Sequence, residues 1–271
     1  MEDSRASGRE EFPDQLLSAL LAERGEERAL PPSLEGKRRL LRALMSTRPP
    51  GPLAPGLLAM QDAELARQAR EKGLVDAACL PPCESDPRLR LWQGDIVRLK
   101  VDAIVNAANS ALLGCFSPLH ACIDNAIHSA AGMELRNACA ALMARQGAPE
   151  PPGGAKITPA FNLPCRHVLH TVGPIVEGDG PSPEDERLLA SCYESCLDLA
   201  AQNGLESVAF CCVSTGVFGY PNEDAAKVAI STAKGWLYAH PAASVKAVIF
   251  NVFTGNNLEI YQRLLGGAGR G

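Results

Sequence analysis

Apolar residues first recur at helical spacing: Leu16, Leu17, Leu20 and Leu21 form one stripe, with Asp14 placed to cap it and Gly25 to end it. A second stripe runs through Leu40, Leu41 and Leu44 behind a capping Ser33, and Lys37, Arg38 and Arg42 fall largely off it. Pro49, Pro50, Gly51, Pro52, Pro55 and Gly56 interrupt the pattern, and a third helix is expected over roughly Leu57 to Lys72, stopped by Gly73. The first 88 residues thus read as helical. Their stripes need a partner surface, so they are expected to pack on the main domain, C-terminal to them.

From Leu91 the period changes. Val101–Val105, Arg166–Val172, Ser207–Val213 and Val245–Val252 are rich in β-branched and apolar residues, as buried strands should be. Helices are expected between them, over Ile123–Arg145 and Asp224–Tyr238. Another begins at Ser182-Pro183-Glu184-Asp185, where Ser can cap, Pro suits the first turn and the acids face the helix dipole. Leu189, Cys192, Cys196, Leu199 and Ala200 trace its buried stripe, and Gly204 closes it. This alternation predicts an α/β fold, with helices covering both faces of a mixed, mainly parallel sheet. Ligands of such sheets bind outside the carboxyl ends of the strands. The expected division is a helical extension over 1–89, an α/β domain over 90–265 and a flexible Gly-rich tail over 266–271.

Composition narrows the function classes. Hydrophobic residues make up 46% and charged residues 21% of the 271, enough for a sizeable core. A formal charge of −5 argues against a nucleic-acid binder, which needs a basic face. A polyanionic ligand is compatible with that charge if backbone N–H groups hold its phosphates. The start, Met1-Glu2-Asp3, lacks the pattern of a secretory leader, no apolar run suits a membrane span, and no prenylation motif closes the chain. A reducing, cytoplasmic setting and a monomer are therefore expected, and most of the ten cysteines are read as small core residues.

Candidate chemistry gathers where strands end. Asn106-Ala107-Ala108-Asn109-Ser110 follows the first long strand; two Asn there suit either a turn or a ligand site. Cys115, His120 and Cys122 have the spacing Cys-x4-His-x-Cys. Thiolate, imidazole and thiolate are preferred zinc ligands, and three of them leave a tetrahedral position free, as a catalytic zinc requires. Two buried cysteines near a surface histidine would look the same. Asp124-Asn125 is either an N-cap pair or a carboxylate aimed at the same ligand. Ser214-Thr215-Gly216-Val217-Phe218-Gly219-Tyr220-Pro221 can form an anion nest for phosphates. In Gln93-Gly94-Asp95-Ile96, Asp95 can accept from an exocyclic amine such as adenine's, or merely make a turn.

As a set, and in this order, these segments resemble the macrodomain family of ADP-ribose-binding, three-layer α/β/α modules. Gln93 to Ile96, Val101 to Asn109, His170-Thr171-Val172-Gly173-Pro174 and Ser214 to Pro221 match its ligand motifs. In the MacroD-like hydrolase branch, a Gly-rich loop precedes an Asp and a helix reading Ile-His-x-Ala-Ala-Gly. Asp124 matches the acid and Ile127-His128-Ser129-Ala130-Ala131-Gly132 the helix, but the Cys115, His120, Cys122 segment replaces the Gly-rich loop. That replacement resembles the zinc-containing macrodomains of microbes, often associated with sirtuin-type ADP-ribosyltransferases. Their N-terminal extension resembles residues 12–88, above all Arg39-Leu40-Leu41-Arg42-Ala43-Leu44-Met45 and Arg48-Pro49-Pro50. The resemblance covers nearly the whole chain.

By residue, the resemblance implies that Asp95 and Ile96 hold adenine, with Asn251 and Phe253 lining its pocket. Asn109 and Asp124 would address the distal ribose and carry the catalysis, with Cys122, Ile123 and Asn125 completing that side of the ligand site. Ser214, Thr215, Gly216, Val217, Phe218, Gly219 and Tyr220 would wrap the diphosphate and distal ribose. Cys115, His120 and Cys122 would bind Zn2+ beside the scissile bond. His128, His167 and His170 lie in apolar stretches and are read as structural. Cys211 and Cys212 cannot both face one side of a strand and are read as core, with Cys212 a weaker metal candidate. The implied activity is zinc-dependent removal of mono-ADP-ribose from modified protein side chains, with ADP-ribose as product. Its rivals are a non-catalytic ADP-ribose reader and an O-acetyl-ADP-ribose deacetylase.

Overall fold

The computed structural model describes residues 13–178 and 180–266. The Met1-Glu2-Asp3 start and residues 267–271 of the Gly-rich tail lie outside the described residues. Helices α1 (Asp14–Ala22), α2 (Leu34–Thr47) and α3 (Pro55–Lys72) form where the leucine stripes predict them. Ser33 caps α2, its hydroxyl accepting from the Gly36 N–H at 3.1 Å. Asp14 does not cap α1: Pro13 holds that position, and Asp14, already inside the helix, accepts from the Lys37 ammonium at 2.7 Å. The helix also stops at Ala22, before Gly25.

The extension buries its leucines mostly against one another, and Met133 alone joins their buried cluster from the rest of the described chain. The helices do meet the main domain as expected, α2 and α3 lying against residues 123–131, but the join is largely polar. Gln61, fully buried, accepts the Met133 N–H at 2.8 Å. Arg136 reaches back to the carbonyls of Met45 and Ser46, each at 2.9 Å.

Apart from one 3-10 turn over Ala77–Cys79, residues 75–88 are not helical, a further correction. The short strands β1 (Val75–Asp76) and β2 (Pro82–Cys83) and the longer β3 (Asp86–Gln93) already begin there. β1 pairs in parallel with β4 (Leu99–Lys100). The main sheet is completed by β5 (Ala103–Ala107), β6 (Ala155–Pro159), β7 (His167–Thr171), β8 (Ser207–Phe210) and β9 (Ala247–Val252). Its order among the described residues is β2-β3-β9-β8-β5-β7-β6. The middle strands run parallel and the outer two, β2 and β6, antiparallel, giving the mixed, mainly parallel sheet expected. β8 ends three residues short of Val213, where the chain leaves the ladder towards a left-handed Ser214.

Helices α4 (Ile123–Ala131) and α5 (Met133–Gln146) pack together, as do α6 (Pro183–Gln202), α7 (Asn222–Ala239) and α8 (Gly255–Leu264). Side-chain alternation along β7 puts the two groups on opposite faces: His170 meets Cys139 of α5 at 3.7 Å, and Thr171 meets Cys192 of α6. The Ser182 cap of α6 closes a full capping box with Asp185. The single helix expected over Ile123–Arg145 is two, broken at Gly132 with φ +95°. A Cβ there would sit 2.6 Å from Gln61 Nε2 and 3.1 Å from Asn162 Nδ2, so the break is where the extension closes on the main domain. Among the described residues no helix is long and apolar enough to cross a membrane.

Candidate active site

Because β3, β9, β8 and β5 run parallel, their carboxyl ends line one edge of the sheet. Asp95, then Asn251–Phe253, then loop 211–221, then loop 108–122 follow those ends in that spatial order. Three strand spacings of ~4.8 Å separate the β3 and β5 ends, roughly 14 Å of cleft.

The β5 end carries a buried carboxylate. Asp124, on the first turn of α4, is 5% exposed. Its Oδ1 accepts from Asn106 Nδ2 at 2.8 Å and lies 3.4 Å from His128 Nε2; Oδ2 accepts from Asn109 Nδ2 at 3.4 Å. Burial pushes its pKa up to about 6, against the pull of the Asn106 hydrogen bond and the Arg136 charge. The cap of α4 is Cys122, whose Sγ accepts the Asn125 N–H at 3.4 Å, so Asp124 is not the N-cap. Asn109 also donates to the Gly114 carbonyl at 3.1 Å and accepts the Ala111 N–H at 3.0 Å, so one side chain sets both the turn and the carboxylate.

Behind this pair lies a buried layer. His170 contacts Asn106 Nδ2 through Nδ1 at 3.3 Å and Thr158 Oγ1 through Nε2 at 2.9 Å. Burial holds it down to about 4, a neutral ring, and drives His128 well below its usual range. The donor atoms of His128, Cys139 and His170 are within 4.8 Å of one another, and neither ring nitrogen of His128 makes a hydrogen bond. The expectation that His128 and His170 are structural describes this layer, which backs the carboxylate.

Cys115, His120 and Cys122 come together. Their donor atoms all lie within 4.8 Å of one another, with Cys115 Sγ 3.6 Å from His120 Nδ1. Burial pushes the Cys122 thiol up to about 11, with the Asn125 N–H opposing and Cys115 reinforcing. The donor set, two sulfurs and an imidazole on a half-buried loop, fits a zinc ion. Cys212 is outside that group, beside the Asn251 carbonyl and Asn257.

In the middle of the edge, Ser214 adopts φ +64° and is 5% exposed, and its Oγ has no partner. A buried hydroxyl left unpaired in a strained backbone is a feature of ligand sites. Thr215 Oγ1 donates to the Cys212 carbonyl at 3.0 Å, and the Tyr220 N–H closes the loop onto the Ser214 carbonyl at 3.0 Å. Gly216, Val217 and Gly219 are exposed, Phe218 is half-buried, and Tyr220 is buried.

At the far end, Asp95 Oδ1 accepts the Val97 N–H at 3.3 Å and Oδ2 accepts from Lys72 Nζ at 3.0 Å. Ile96 belongs to the core. Asn251 Nδ2 donates to the Gly94 carbonyl at 2.9 Å, so its side chain braces the Asp95 turn. Phe253 is 74% exposed beside it, its carbonyl taking Gln93 Nε2 at 3.3 Å.

Sequence reasoning passed over three residues at this site. Asn106 was visible only as one of two Asn. Arg42 was marked only as lying off its helix's stripe and within the extension's resembling segment, and Arg136 gave no local signal, yet Arg42 donates to Asn125 and to the His120 carbonyl, and Arg136 to the Leu113 carbonyl. Asn125 is in turn held between α2 and the loop, with its Nδ2 donating to Ser46 Oγ at 3.2 Å and to the Ser117 carbonyl at 3.1 Å.

The Macro domain family model matches residues 105–229. A protein-ADP-ribose hydrolase of Treponema medium is 48% identical over 238 residues, covering 87% of this chain and 90% of that protein. One of Staphylococcus aureus strain MSSA476 is 45% identical over 233 residues, 86% of each chain. A Trypanosoma brucei macrodomain crystallised with ADP-ribose superposes with a TM-score of 0.64 at 31% identity, over 83% of this chain and 95% of that one.

Proposed function

The chain belongs to the macrodomain family, and on that premise we propose that it is a protein ADP-ribosyl hydrolase that removes mono-ADP-ribose from modified side chains with one zinc ion. The observation that supports this most is the pairing of a buried carboxylate, Asp124, with the Cys115, His120 and Cys122 donors two to nine residues before it. A domain that only reads ADP-ribose needs neither.

The bond broken joins the anomeric carbon of the distal ribose to a side-chain oxygen, most simply that of a carboxylate ester. Water adds at the anomeric carbon, the carbon–oxygen bond breaks, and its electron pair leaves with the protein carboxylate. Asp124 takes the proton of that water, and Asn106 and Asn109 hold its two oxygens towards the cleft. Cys115, His120 and Cys122 would hold a zinc ion, which would supply a Lewis acid for charge developing on oxygen. The 211–221 loop binds the diphosphate through backbone N–H groups and Ser214 Oγ, and Asp95 holds the adenine amine, so binding energy far from the bond fixes its position. The Treponema and Staphylococcus relatives carry the hydrolase name over most of their length, and the trypanosomal relative binds ADP-ribose.

The test is release of ADP-ribose from a mono-ADP-ribosylated protein, measured beside hydrolysis of O-acetyl-ADP-ribose. Turnover of the protein substrate at the higher kcat/KM supports the proposal. Tight binding of that substrate with no release would make the chain a reader, and preference for O-acetyl-ADP-ribose would make it a deacetylase.

A further inference from the structure

Residues 108–122 form no helix or strand, and beyond the backbone bonds to the Asn109, Ser110, Ser117 and Cys122 carbonyls this loop is held by side-chain donors. The structure supplies them along its length. Arg136 Nε donates to the Leu113 carbonyl at 2.7 Å, and Asn109 Nδ2 to the Gly114 carbonyl at 3.1 Å. Asn125 Nδ2 donates to the Ser117 carbonyl at 3.1 Å, and Arg42 Nη2 to the His120 carbonyl at 3.1 Å. Arg42 is the one among these donors that comes from the N-terminal helices.

Its geometry is specific. The guanidinium forks onto Asn125 Oδ1 through Nε at 3.1 Å and Nη2 at 2.9 Å, while Nη2 also takes the His120 carbonyl. Arg42 therefore grips the backbone on one side of Cys122 and the side chain of Asn125 on the other. Leu119, immediately before His120, sits at φ +58°, a conformation that L side chains rarely adopt. Such a loop keeps its shape only when its surroundings impose it.

We propose that Arg42 is a positioning residue for the metal loop, so that helix α2 is a working part of the candidate active site and not a covering for it. Without that fork, His120 and Cys122 lose their common brace, and the three donor atoms no longer hold one geometry. The part concerning metal affinity rests on the zinc reading of Cys115, His120 and Cys122; the part concerning loop order does not.

The test uses the full chain with Arg42→Ala, Arg42→Gln and Arg42→Lys. Hydrogen exchange of residues 113–122 in metal-free protein should accelerate about tenfold or more in the Ala and Gln variants, with strands β5 and β7 unchanged. Zinc affinity, read by competition with a chromophoric chelator, should fall about 10–100-fold. Lys should restore part of both, since it offers a single point donor in place of the planar fork. The Gln variant keeps much of the side-chain stem, so it reports even if Arg42→Ala does not fold. Wild-type exchange across 113–122 in a folded Ala or Gln variant would overturn the proposal. A wild-type protein that binds no zinc would remove the metal reading, and exchange alone would then decide the role of Arg42.

Discussion

Gly173→Ala is a one-methyl perturbation whose effect can be worked from distances. Gly173 lies just beyond β7, against the start of the 211–221 loop. A Cβ on it would fall 2.0 Å from Ser214 Oγ, 3.0 Å from Val213 Cγ1 and 3.3 Å from Ser214 Cβ. Turning the Ser214 hydroxyl removes the first clash. It leaves the other two, because Val213 is fully buried and the Ser214 backbone is held at φ +64° by its carbonyl's bond to the Tyr220 N–H. Overpacking of this kind costs about 1–3 kcal/mol. For a protein of this size that lowers the melting midpoint by about 2–12 °C. The relief takes the form of a shift at Ser214, so ADP-ribose affinity should fall on the order of tenfold, about 1.4 kcal/mol. Ser214→Ala alone should leave the melting midpoint nearly unchanged, since it deletes a hydroxyl that has no partner in the free protein, while weakening ADP-ribose binding through the lost diphosphate contact. Combined with Gly173→Ala, it should recover about 0.5 kcal/mol or more, a coupling that distant sites do not show. Thermal melts and ADP-ribose titration calorimetry on the four proteins measure all of this. A Gly173→Ala protein with wild-type melting and affinity would refute the packing argument.

Asp124→Ala should lower single-turnover hydrolysis by roughly 10²–10⁴ while ADP-ribose affinity changes far less, and an unchanged rate in the folded protein would remove Asp124 from the mechanism. Asp95→Ala should weaken ADP-ribose binding by about 1–2 kcal/mol, whereas Lys72→Ala frees Oδ2 of Asp95 and should tighten it by less than about 1 kcal/mol; equal affinities in all three would displace adenine from Asp95. His170 has a folded pKa of about 4 against 6.5, so between those values only the unfolded chain takes its proton. Its contribution is complete above about pH 6.5 and drains away towards pH 4; urea titrations should show about 2 kcal/mol of it lost from pH 7 to 5, with a shallower loss in His170→Asn. Identical slopes would contradict that assignment.

How legible these features were depended on how local their causes are. The valine-rich strands and the Ser182 capping box show in the sequence because each is decided within a few residues. The Cys115, His120, Cys122 cluster was legible for the same reason, since eight consecutive residues hold all its donors. Gly132 falls inside the single helix expected over Ile123–Arg145; its reason for breaking that helix lies in Gln61 and Asn162, remote in sequence. β1 exists because β4 pairs with it, and two residues carry no period of their own. Arg42 sits off the apolar stripe, and a hydrophobic pattern cannot distinguish an arginine in water from one gripping His120 and Asn125. Asn251, read as an adenine contact, spends its amide on the Asp95 turn, a bond between segments 157 residues apart.

The central claim, that Asp124 works beside a metal held by Cys115, His120 and Cys122, is tested most directly by one titration. Single-turnover release of ADP-ribose from a modified protein is followed as chelated, metal-free enzyme is given back zinc in measured steps. The account predicts a rate that falls by orders of magnitude on chelation and returns in proportion to zinc, saturating near one ion per chain. Full-rate hydrolysis by metal-free enzyme would contradict it.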